Sequence, residues 1–258
     1  MSFRLARSPV LQREDPVDPP LVPNAYDDEF ENTVLDPNWI RFGTAGPGLG
    51  FDDVTPIDPA TTFASGGTRW SLHGTPAPNA RPSWYMLQTS ADTVAGIEKL
   101  VTFPSDYFAW ARFSFAYRNA SQVNNDGTAQ LDLMLGAGPA YVEGVSLYLN
   151  ESDTNTVQIE ALRWNASVGT SIALTNNAGG AGLTRGQVAH TVGIQALGTV
   201  YHYWMLTSAG NWQWLGTTTH ATALDRVRLR VFSASATAPG NVVTGIDFFR
   251  FKSGRYLP

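Results

Sequence analysis

Six aromatic, arginine and carboxylate side chains that could stack on or hydrogen-bond with a ligand are spread through the middle and the end of the chain. They belong to segments in which apolar and polar residues alternate, and they are Trp110, Arg112, Asp132, Tyr148, Glu160 and Arg228. Aromatic faces stack on the C–H surfaces of sugar rings, and arginine and carboxylate groups form planar hydrogen bonds with hydroxyls. Provided that the segments are strands of one sheet, the six side chains line one polar face of that sheet.

A polar sheet face also has an ordinary structural interpretation. An exposed face needs polar residues, and an arginine opposite Asp or Glu on the next strand stabilises a sheet by roughly 0.2–1 kcal/mol. The six residues are therefore either a binding surface or a set of cross-strand pairs.

A second concentration of aromatic residues surrounds a predicted turn at residues 208–210. Its members are Tyr201, Tyr203, Trp204, Trp212 and Trp214. Residues two apart point to the same side of a strand, so the two tyrosines form one pair and Trp212 with Trp214 another. Such pairs belong either to a core or to a surface that binds a sugar or a neighbouring subunit.

Metal and cofactor chemistry find no support in the sequence. The chain has no cysteine, which excludes disulfides and thiolate metal sites. Its four histidines show neither HxH nor HExxH spacing, so no metal is predicted. The glycines at 46, 48 and 50 are not followed by a helix and lack the Gly-Lys-Ser/Thr of a phosphate loop, so no cofactor is predicted.

Charge and hydropathy argue against two classes of partner. The net charge is −5 and no basic stripe is present, so nucleic acid is not an expected partner. No apolar stretch approaches the roughly 20 residues that cross a membrane. The N-terminal residues lack the apolar run of about 7–15 residues of a signal peptide, so we expect synthesis in a cytoplasm without secretion.

The segments that would position the six residues have the length and alternation of β-strands. They are separated by turns rich in Gly, Asn, Asp and Ser, and no window shows a helical period. The predicted strands are 83–90, 97–103, 107–118, 128–136, 144–150, 156–164, 190–197, 200–207, 211–216, 225–234 and 243–252. This pattern predicts an all-β sandwich or jelly roll, with residues 44–82 as a long surface excursion.

The alternation also predicts which side of each strand faces the core. A period of two fixes these assignments wherever a strand has no bulge. The predicted core residues are Phe113, Phe115, Tyr117, Leu131, Leu133, Leu135, Val145, Leu147, Leu149, Val157, Ile159, Ala161, Val227, Leu229 and Val231.

Residues 1–25 differ from the rest of the chain. Their prolines at 9, 16, 19, 20 and 23 rule out a helix or a central strand, so the segment is predicted to be an extended, polyproline-like arm. Residues 26–258 are expected to form the sandwich. The arm is expected to lie on a partner through its apolar residues Phe3, Leu5, Val10, Leu11, Leu21 and Val22, with an arm folded back on its own domain as the alternative.

The two ends of the sandwich carry matching signals. Tyr26–Gly43 reads YDDEFENTVLDPNWIRFG, and Val243–Lys252 reads VTGIDFFRFK. The acidic-aromatic opening, the Leu-Asp-Pro-x-Trp turn and the closing aromatic strand resemble the concanavalin A-like lectin/glucanase superfamily. The resemblance implies a jelly-roll β-sandwich of two antiparallel sheets, with these segments as its first and last strands. It also implies a carbohydrate groove on the concave sheet, which the six residues would line.

Retaining β-glucanases of this superfamily carry Glu-x-Asp-x-x-Glu on one strand of that groove, which holds two carboxyl groups about 5–5.5 Å apart. The nearest match, Glu151-Ser-Asp153-Thr-Asn-Thr156, lacks the second glutamate and falls in a predicted turn. Asp132 and Glu160 form an alternative pair that no motif links. The chain is therefore predicted not to be an enzyme, with a β-glucan hydrolase as the alternative.

An extended arm joined to a lectin-like sandwich also resembles the decoration, head-fibre and tail-associated proteins of tailed-bacteriophage virions. This resemblance implies a structural virion protein made in the host cytoplasm. Its arm would bind capsid or tail proteins, and its sandwich would face cell-surface glycans. Such appendages are commonly homo-oligomers. A free carbohydrate-binding lectin module is the alternative.

Overall fold

The structure, a computed structural model, describes residues 24–30, 36–43, 63–65, 68–72, 85–89, 94–117, 127–151, 157–175, 190–207, 210–233 and 242–257. Every regular element in these stretches is a β-strand. The strands are β1 (Trp39–Gly43), β2 (Phe63–Ser65), β3 (Thr68–Leu72), β4 (Tyr85–Thr89), β5 (Val94–Leu100), β6 (Asp106–Tyr117), β7 (Gly127–Met134), β8 (Gly144–Glu151), β9 (Val157–Asn165), β10 (Val168–Thr175), β11 (His190–Leu197), β12 (Val200–Leu206), β13 (Trp212–Thr219), β14 (Arg226–Ser233) and β15 (Val242–Ser253).

These strands form two antiparallel sheets. The seven-stranded sheet has the order β1-β5-β14-β7-β8-β9-β10. The eight-stranded sheet follows β13-β12-β11-β6-β15-β4, and β3 joins it by pairing with β6 and with β2. Late strands lie between early ones in both sheets, with β14 between β5 and β7 and β15 between β6 and β4. The molecule is therefore a jelly-roll sandwich, as the sequence predicts.

The core lies between the two sheets. The seven-stranded sheet contributes one side of each strand, including Ile97, Leu131, Leu147, Ile159 and Leu229. The eight-stranded sheet contributes the other layer, including Tyr107, Phe113, Ile194, Tyr203 and Phe251. The predicted core residues whose side chains are described are confirmed, apart from Leu135. That leucine lies one position beyond the end of β7 and is 37% exposed.

The opening segment supplies the first strand and the closing segment the last, as the sequence predicts, and the residues before β1 lie against β15. Asp28 and Phe249 exchange both backbone hydrogen bonds at 2.8 Å, and the Asp27 carboxylate accepts the Phe251 amide at 2.7 Å. The Asp28 carboxylate also accepts the Trp39 indole N–H at 2.7 Å, while Trp39 packs edge-on against Phe249. The aspartates of the opening motif therefore hold the first turn to the last strand.

The Leu-Asp-Pro-x-Trp turn has a structural role as well. The Asp36 side chain accepts the Asn38 amide, and its backbone carbonyl accepts the Trp39 amide, both at 2.9 Å. The buried Lys99 ammonium lies 3.3 Å from the Asp36 carboxylate and 4.9 Å from the centre of the Trp39 ring. The Lys99 charge and the backbone of the turn together lower the pKa of Asp36, although partial burial opposes them.

The strand predictions hold except at three elements. The eleven strands predicted from alternation are present, and β1 lies in the opening segment expected to hold the first strand, whereas β2, β3 and β10 were not predicted. The expectation of an irregular excursion over residues 44–82 is wrong at β2 and β3, which pair as a hairpin. The rest of that stretch, and the predicted arm residues Phe3, Leu5, Val10, Leu11, Leu21 and Val22, lie outside the described residues.

Candidate functional site

The six predicted sugar-contacting residues divide between the two sheets. Asp132, Tyr148, Glu160 and Arg228 lie on the outer face of the seven-stranded sheet, on β7, β8, β9 and β14. Trp110 and Arg112 lie on β6, which belongs to the other sheet. The expectation of one common face is therefore wrong for this pair. The alternation along β6 was interpreted correctly, but alternation cannot say to which sheet a strand belongs.

Trp110 is only 1% exposed, because the end of the chain covers the outer face of the eight-stranded sheet. The Tyr256 ring stacks on Phe108 and Trp110, with centroids 5.2 and 5.5 Å apart. The Gln195 side chain accepts the backbone amides of Tyr256 and Leu257 at 3.0 and 2.7 Å and donates to the Leu257 carbonyl at 3.2 Å. Trp110 is thus a packing residue beneath what we call the C-terminal tail, residues 254–257.

The connection between β7 and β8, residues 135–143, folds back over the outer face of the seven-stranded sheet. We call it the cover loop. Arg228, which is 0% exposed, donates to the carbonyls of Ala140 at 2.8 Å and of Gly136. Its Nε also lies 3.0 Å from the buried Glu98 carboxylate. A residue predicted to contact ligand instead binds the backbone of its own chain.

Two glycines allow the cover loop to turn back. Gly136 and Gly138 have φ values of +82° and +89°, in the region that side chains with a Cβ rarely adopt. The Gly138 amide donates to the Glu98 carboxylate at 3.1 Å, so the same acid that pairs with Arg228 also holds the loop. The Asp225 carboxylate accepts the Gly136 amide at 2.9 Å.

Asp132 and Arg230 form a second buried pair under the cover loop. Arg230 Nε lies 3.1 Å from Asp132 Oδ2 and also donates to Gln130, while another guanidinium nitrogen donates to the Pro139 carbonyl at 3.0 Å. Burial raises the pKa of Asp132, against the opposing effect of Arg230, and burial lowers the pKa of Arg230 to about 10. Asp132 is 0% exposed, so it does not face an open groove.

Next to the covered region, three partly exposed aromatic rings form a continuous surface, which we call the aromatic shelf: Tyr141, Tyr148 and Trp164. The rings of Tyr141 and Trp164 stack 4.0 Å apart at 11°, and those of Tyr141 and Tyr148 lie 6.2 Å apart. The Trp164 indole N–H donates to Ser146 at 3.0 Å. A Cβ at Gly169 would lie 2.8 Å from this indole, so the glycine makes room for the ring.

The shelf has a carboxylate beside it. Glu160 is partly exposed and pairs directly with Tyr148 across β8 and β9. The Tyr141 hydroxyl donates to Gln130, and its ring lies over the Arg230 guanidinium at 3.4 Å. Trp164 and Arg230 thus cover the two faces of Tyr141, so a sugar would contact the shelf at Tyr148 and at the outward parts of the stacked pair, and Glu160 can accept hydrogen bonds from its hydroxyls.

Sequence reasoning included Tyr148 and Glu160 but missed Tyr141 and Trp164. The alternation along β9 places Trp164 on the outer face of the sheet. The nearby Gly169 is the signal that a large ring needs space on that face. Tyr141 lies in a loop, where no period indicates direction. Its position depends on the buried arginines, which no local pattern reveals.

The second concentration of aromatic residues, around the turn at residues 208–210, also divides between the core and the outer face of the sheet. Tyr201 and Tyr203 face the core, and the Tyr203 hydroxyl donates to the Leu162 carbonyl of the opposite sheet at 2.8 Å. Trp204 belongs to the cluster under the C-terminal tail, and Trp212 packs edge-on against Phe108. Trp214 pairs with Trp204 across β12 and β13 and is 53% exposed.

Within the described stretches, no group of three or more His, Cys, Asp or Glu side chains could hold a metal ion. In the same part of the chain, no helix has the length and apolarity needed to cross a membrane.

No known family model matches the sequence, and a search of curated proteins finds no relative. Solved structures do match the fold. A xylan β-1,4-xylosidase from Bacillus halodurans C-125 is 11% identical, with a TM-score of 0.52, over 92% of this chain and 40% of its own. The VIP36 exoplasmic/lumenal domain, in a Ca²⁺/Man3GlcNAc-bound form, is 11% identical, with a TM-score of 0.51, over 73% of this chain and 85% of its own.

A third similar structure comes from a bacteriophage. The CBM2 module of the evolved Dit of Lactobacillus casei BL23 phage J-1 is 12% identical, with a TM-score of 0.50, and covers 90% of this chain and 96% of its own. The chain spans only 39% of the length of the GH43 protein BlXynB from Bacillus licheniformis. These likenesses establish the lectin-like jelly-roll fold.

Proposed function

We propose that the chain is a non-catalytic, carbohydrate-binding sandwich carried on a tailed-bacteriophage virion. The aromatic shelf is the observation that supports binding. Three partly exposed rings cluster at the surface, with Tyr141 and Trp164 stacked face to face at 4.0 Å and Tyr148 tilted beside them, next to the carboxylate of Glu160. Clustered aromatic rings at a surface suit ligand binding, and the C–H faces of sugar rings match their chemistry.

The positions of the carboxylates support a non-catalytic role. Asp132 and Glu160 lie two strands apart and two positions out of register, so their Cα atoms are roughly 12 Å apart. Asp132 is also buried and paired with Arg230. A glycosidase needs two accessible carboxyl groups on either side of the bond to be cleaved, and the carboxyl group of Asp132 is not accessible.

Two observations support the virion part of the proposal. The arm has the composition of an extended segment that gains order on a partner. The carbohydrate-binding module of a phage Dit protein has the same fold over nearly its whole length. We propose that the arm attaches the chain to capsid or tail proteins, through Phe3, Leu5, Val10, Leu11, Leu21 and Val22, while the sandwich faces the host surface.

Changing Trp164 to alanine is expected to weaken glycan binding by about tenfold or more, because a central aromatic contact contributes about 1–2 kcal/mol. The measurement is a glycan array, followed by calorimetric titration of the best ligand. Trp164→Phe keeps a stacking face but loses the bond to Ser146, so it should retain most of the affinity.

Trp214→Ala serves as the matched control, since it removes an exposed tryptophan from the opposite sheet and should leave glycan affinity unchanged. The binding proposal fails if no glycan binds, or if both tryptophan variants lose affinity equally. Release of reducing sugar from a bound glycan would contradict the non-catalytic assignment.

Removal of residues 1–25 is expected to abolish incorporation into virions without changing glycan affinity. The measurement is co-sedimentation of the full-length and truncated chains with particles of the phage that encodes them. Equal co-sedimentation of the two chains would show that the arm is not the attachment.

A further inference from the structure

A carboxylate and an aromatic ring, both partly exposed, lie side by side at one end of the aromatic shelf. Glu160 on β9 is the direct cross-strand neighbour of Tyr148 on β8, on the outer face of the seven-stranded sheet. Directly opposed side chains of antiparallel strands have Cβ atoms about 4.5–5.5 Å apart. Burial raises the pKa of the Tyr148 hydroxyl, and the charges of Asp132 and Glu160 raise it further. The Glu160 carboxylate and the Tyr148 ring are therefore close enough to contact the same group of a ligand.

The charge of Glu160 is not neutralised within the described part of the chain. Among the described residues, no group forms a hydrogen bond or an ion pair with its carboxylate. The buried arginines of the same face have other partners: Arg230 pairs with Asp132, and Arg228 pairs with Glu98. These two arginines are only 3% and 0% exposed, so neither guanidinium group can turn toward a ligand on the shelf.

An aromatic ring beside an unpaired carboxylate suits an ammonium group. The ring attracts a cation through its quadrupole, and the carboxylate accepts charge-assisted hydrogen bonds from N–H donors. A carboxylate or phosphate group on a ligand would instead meet the like charge of Glu160. We propose, resting on the glycan-binding function of the shelf, that its ligands are amino sugars with a free, protonated amine, which binds the Glu160 carboxylate and the Tyr148 ring.

The rest of the shelf suits an oligosaccharide better than a single amine. Glu160 and Trp164 are four residues apart on β9, so their Cα atoms are about 13 Å apart, which is longer than one pyranose ring. The outward parts of the stacked Tyr141 and Trp164 rings provide apolar surface for the C–H groups of a second sugar unit. A ligand that places an ammonium group at Glu160 and a sugar ring at Trp164 therefore uses both ends of the shelf.

Calorimetric titration of the full chain with two matched ligands tests the proposal. The ligands are oligomers of glucosamine and the same oligomers with every amine acetylated. The free-amine oligomers are expected to bind about tenfold more tightly, because acetylation removes the positive charge. Glu160→Gln keeps the size of the side chain but removes its charge, so it is expected to abolish this difference. The affinity of this variant for the acetylated oligomers should stay within about twofold of the wild-type value.

Glu143→Gln is the matched control, since it removes an equal charge at the end of the cover loop, two residues after Tyr141. Its side-chain oxygen can still accept the Ala166 amide, as Glu143 does at 2.9 Å. This variant should keep the preference for the free amine. An equal loss in Glu143→Gln and Glu160→Gln would indicate a general effect of negative charge and would overturn the proposal.

Two further outcomes overturn the assignment to amino sugars. One is that the acetylated oligomers bind as tightly as the free-amine oligomers, or more tightly. The other is that an oligolysine peptide, which carries ammonium groups without sugar rings, binds as tightly as the glucosamine oligomers. Failure of glycan binding itself has a different signature, because then no glycan binds at all. Glycan binding that Trp164→Ala weakens, but that does not depend on the amine, would keep the shelf as a binding surface and reject only the amino-sugar ligand.

Discussion

Replacing Arg228 with leucine is expected to lower the free energy of unfolding by about 3–5 kcal/mol, as is typical when one partner of a buried ion pair is removed. Among the described residues, the change leaves the buried Glu98 with Arg226, which is more exposed, as its one charged partner. It also removes the donors for the Gly136 and Ala140 carbonyls of the cover loop. Urea denaturation followed by tryptophan fluorescence measures the loss.

A second substitution tests the cause of this loss. Adding Glu98→Leu to Arg228→Leu removes the uncompensated charge, so the double variant should recover part of the lost stability. Arg226→Leu is the matched control on the same strand, because it contacts Glu98 at 3.2 Å but leaves the Arg228 contacts intact. It should cost clearly less. An Arg228→Leu loss no larger than that of Arg226→Leu would mean that the network does not stabilise the fold.

Removing residues 254–258 is expected to cost about 3–5 kcal/mol, since three hydrogen bonds and two large apolar side chains are lost together. Without the tail, Gln195 loses all three of its bonds to the tail, and Phe108 and Trp110 become exposed. Thermal unfolding should show the loss, and binding of a hydrophobic dye should rise.

Removing Pro258 alone is the control for this truncation and should have little effect. Gln195→Leu keeps Tyr256 stacked on Phe108 but removes the hydrogen bonds, so its effect should lie between those of the two truncations. If the chain lacking residues 254–258 is as stable as the chain lacking only Pro258, the tail does not contribute to the stability of the sandwich.

The two-residue period predicted the core well, because burial between two sheets imposes it on every strand. Leu131, Leu147 and Leu229 face inward as predicted. The outer faces of the two sheets were less predictable. Alternation distinguishes core residues from outward-facing residues, but it does not show whether another segment covers an outward-facing residue. Arg228 and Trp110 both have the correct orientation, yet each is covered by a distant segment of the same chain.

The missed strands have physical causes of their own. In β10, Gly169 and Ser171 dilute the apolar signal, and the register shifts between Ser171 and Ala173, which breaks the period. The shelf was only half predictable because the position of Tyr141 depends on contacts with Gln130 on the preceding strand and with Arg230 far along the chain.

The cover loop also affects how the surface of the protein can diversify over generations. The buried arginines bind the loop mainly through the backbone carbonyls of Gly136, Pro139 and Ala140. Carbonyl groups are present whatever the side chain, so this attachment places little selection on residue identity at positions 139 and 140. New side chains can therefore appear there, next to the aromatic shelf, while the arginines hold the loop and the core keeps its sequence. A lineage carrying this chain can vary what the surface recognises without altering the residues on which folding depends.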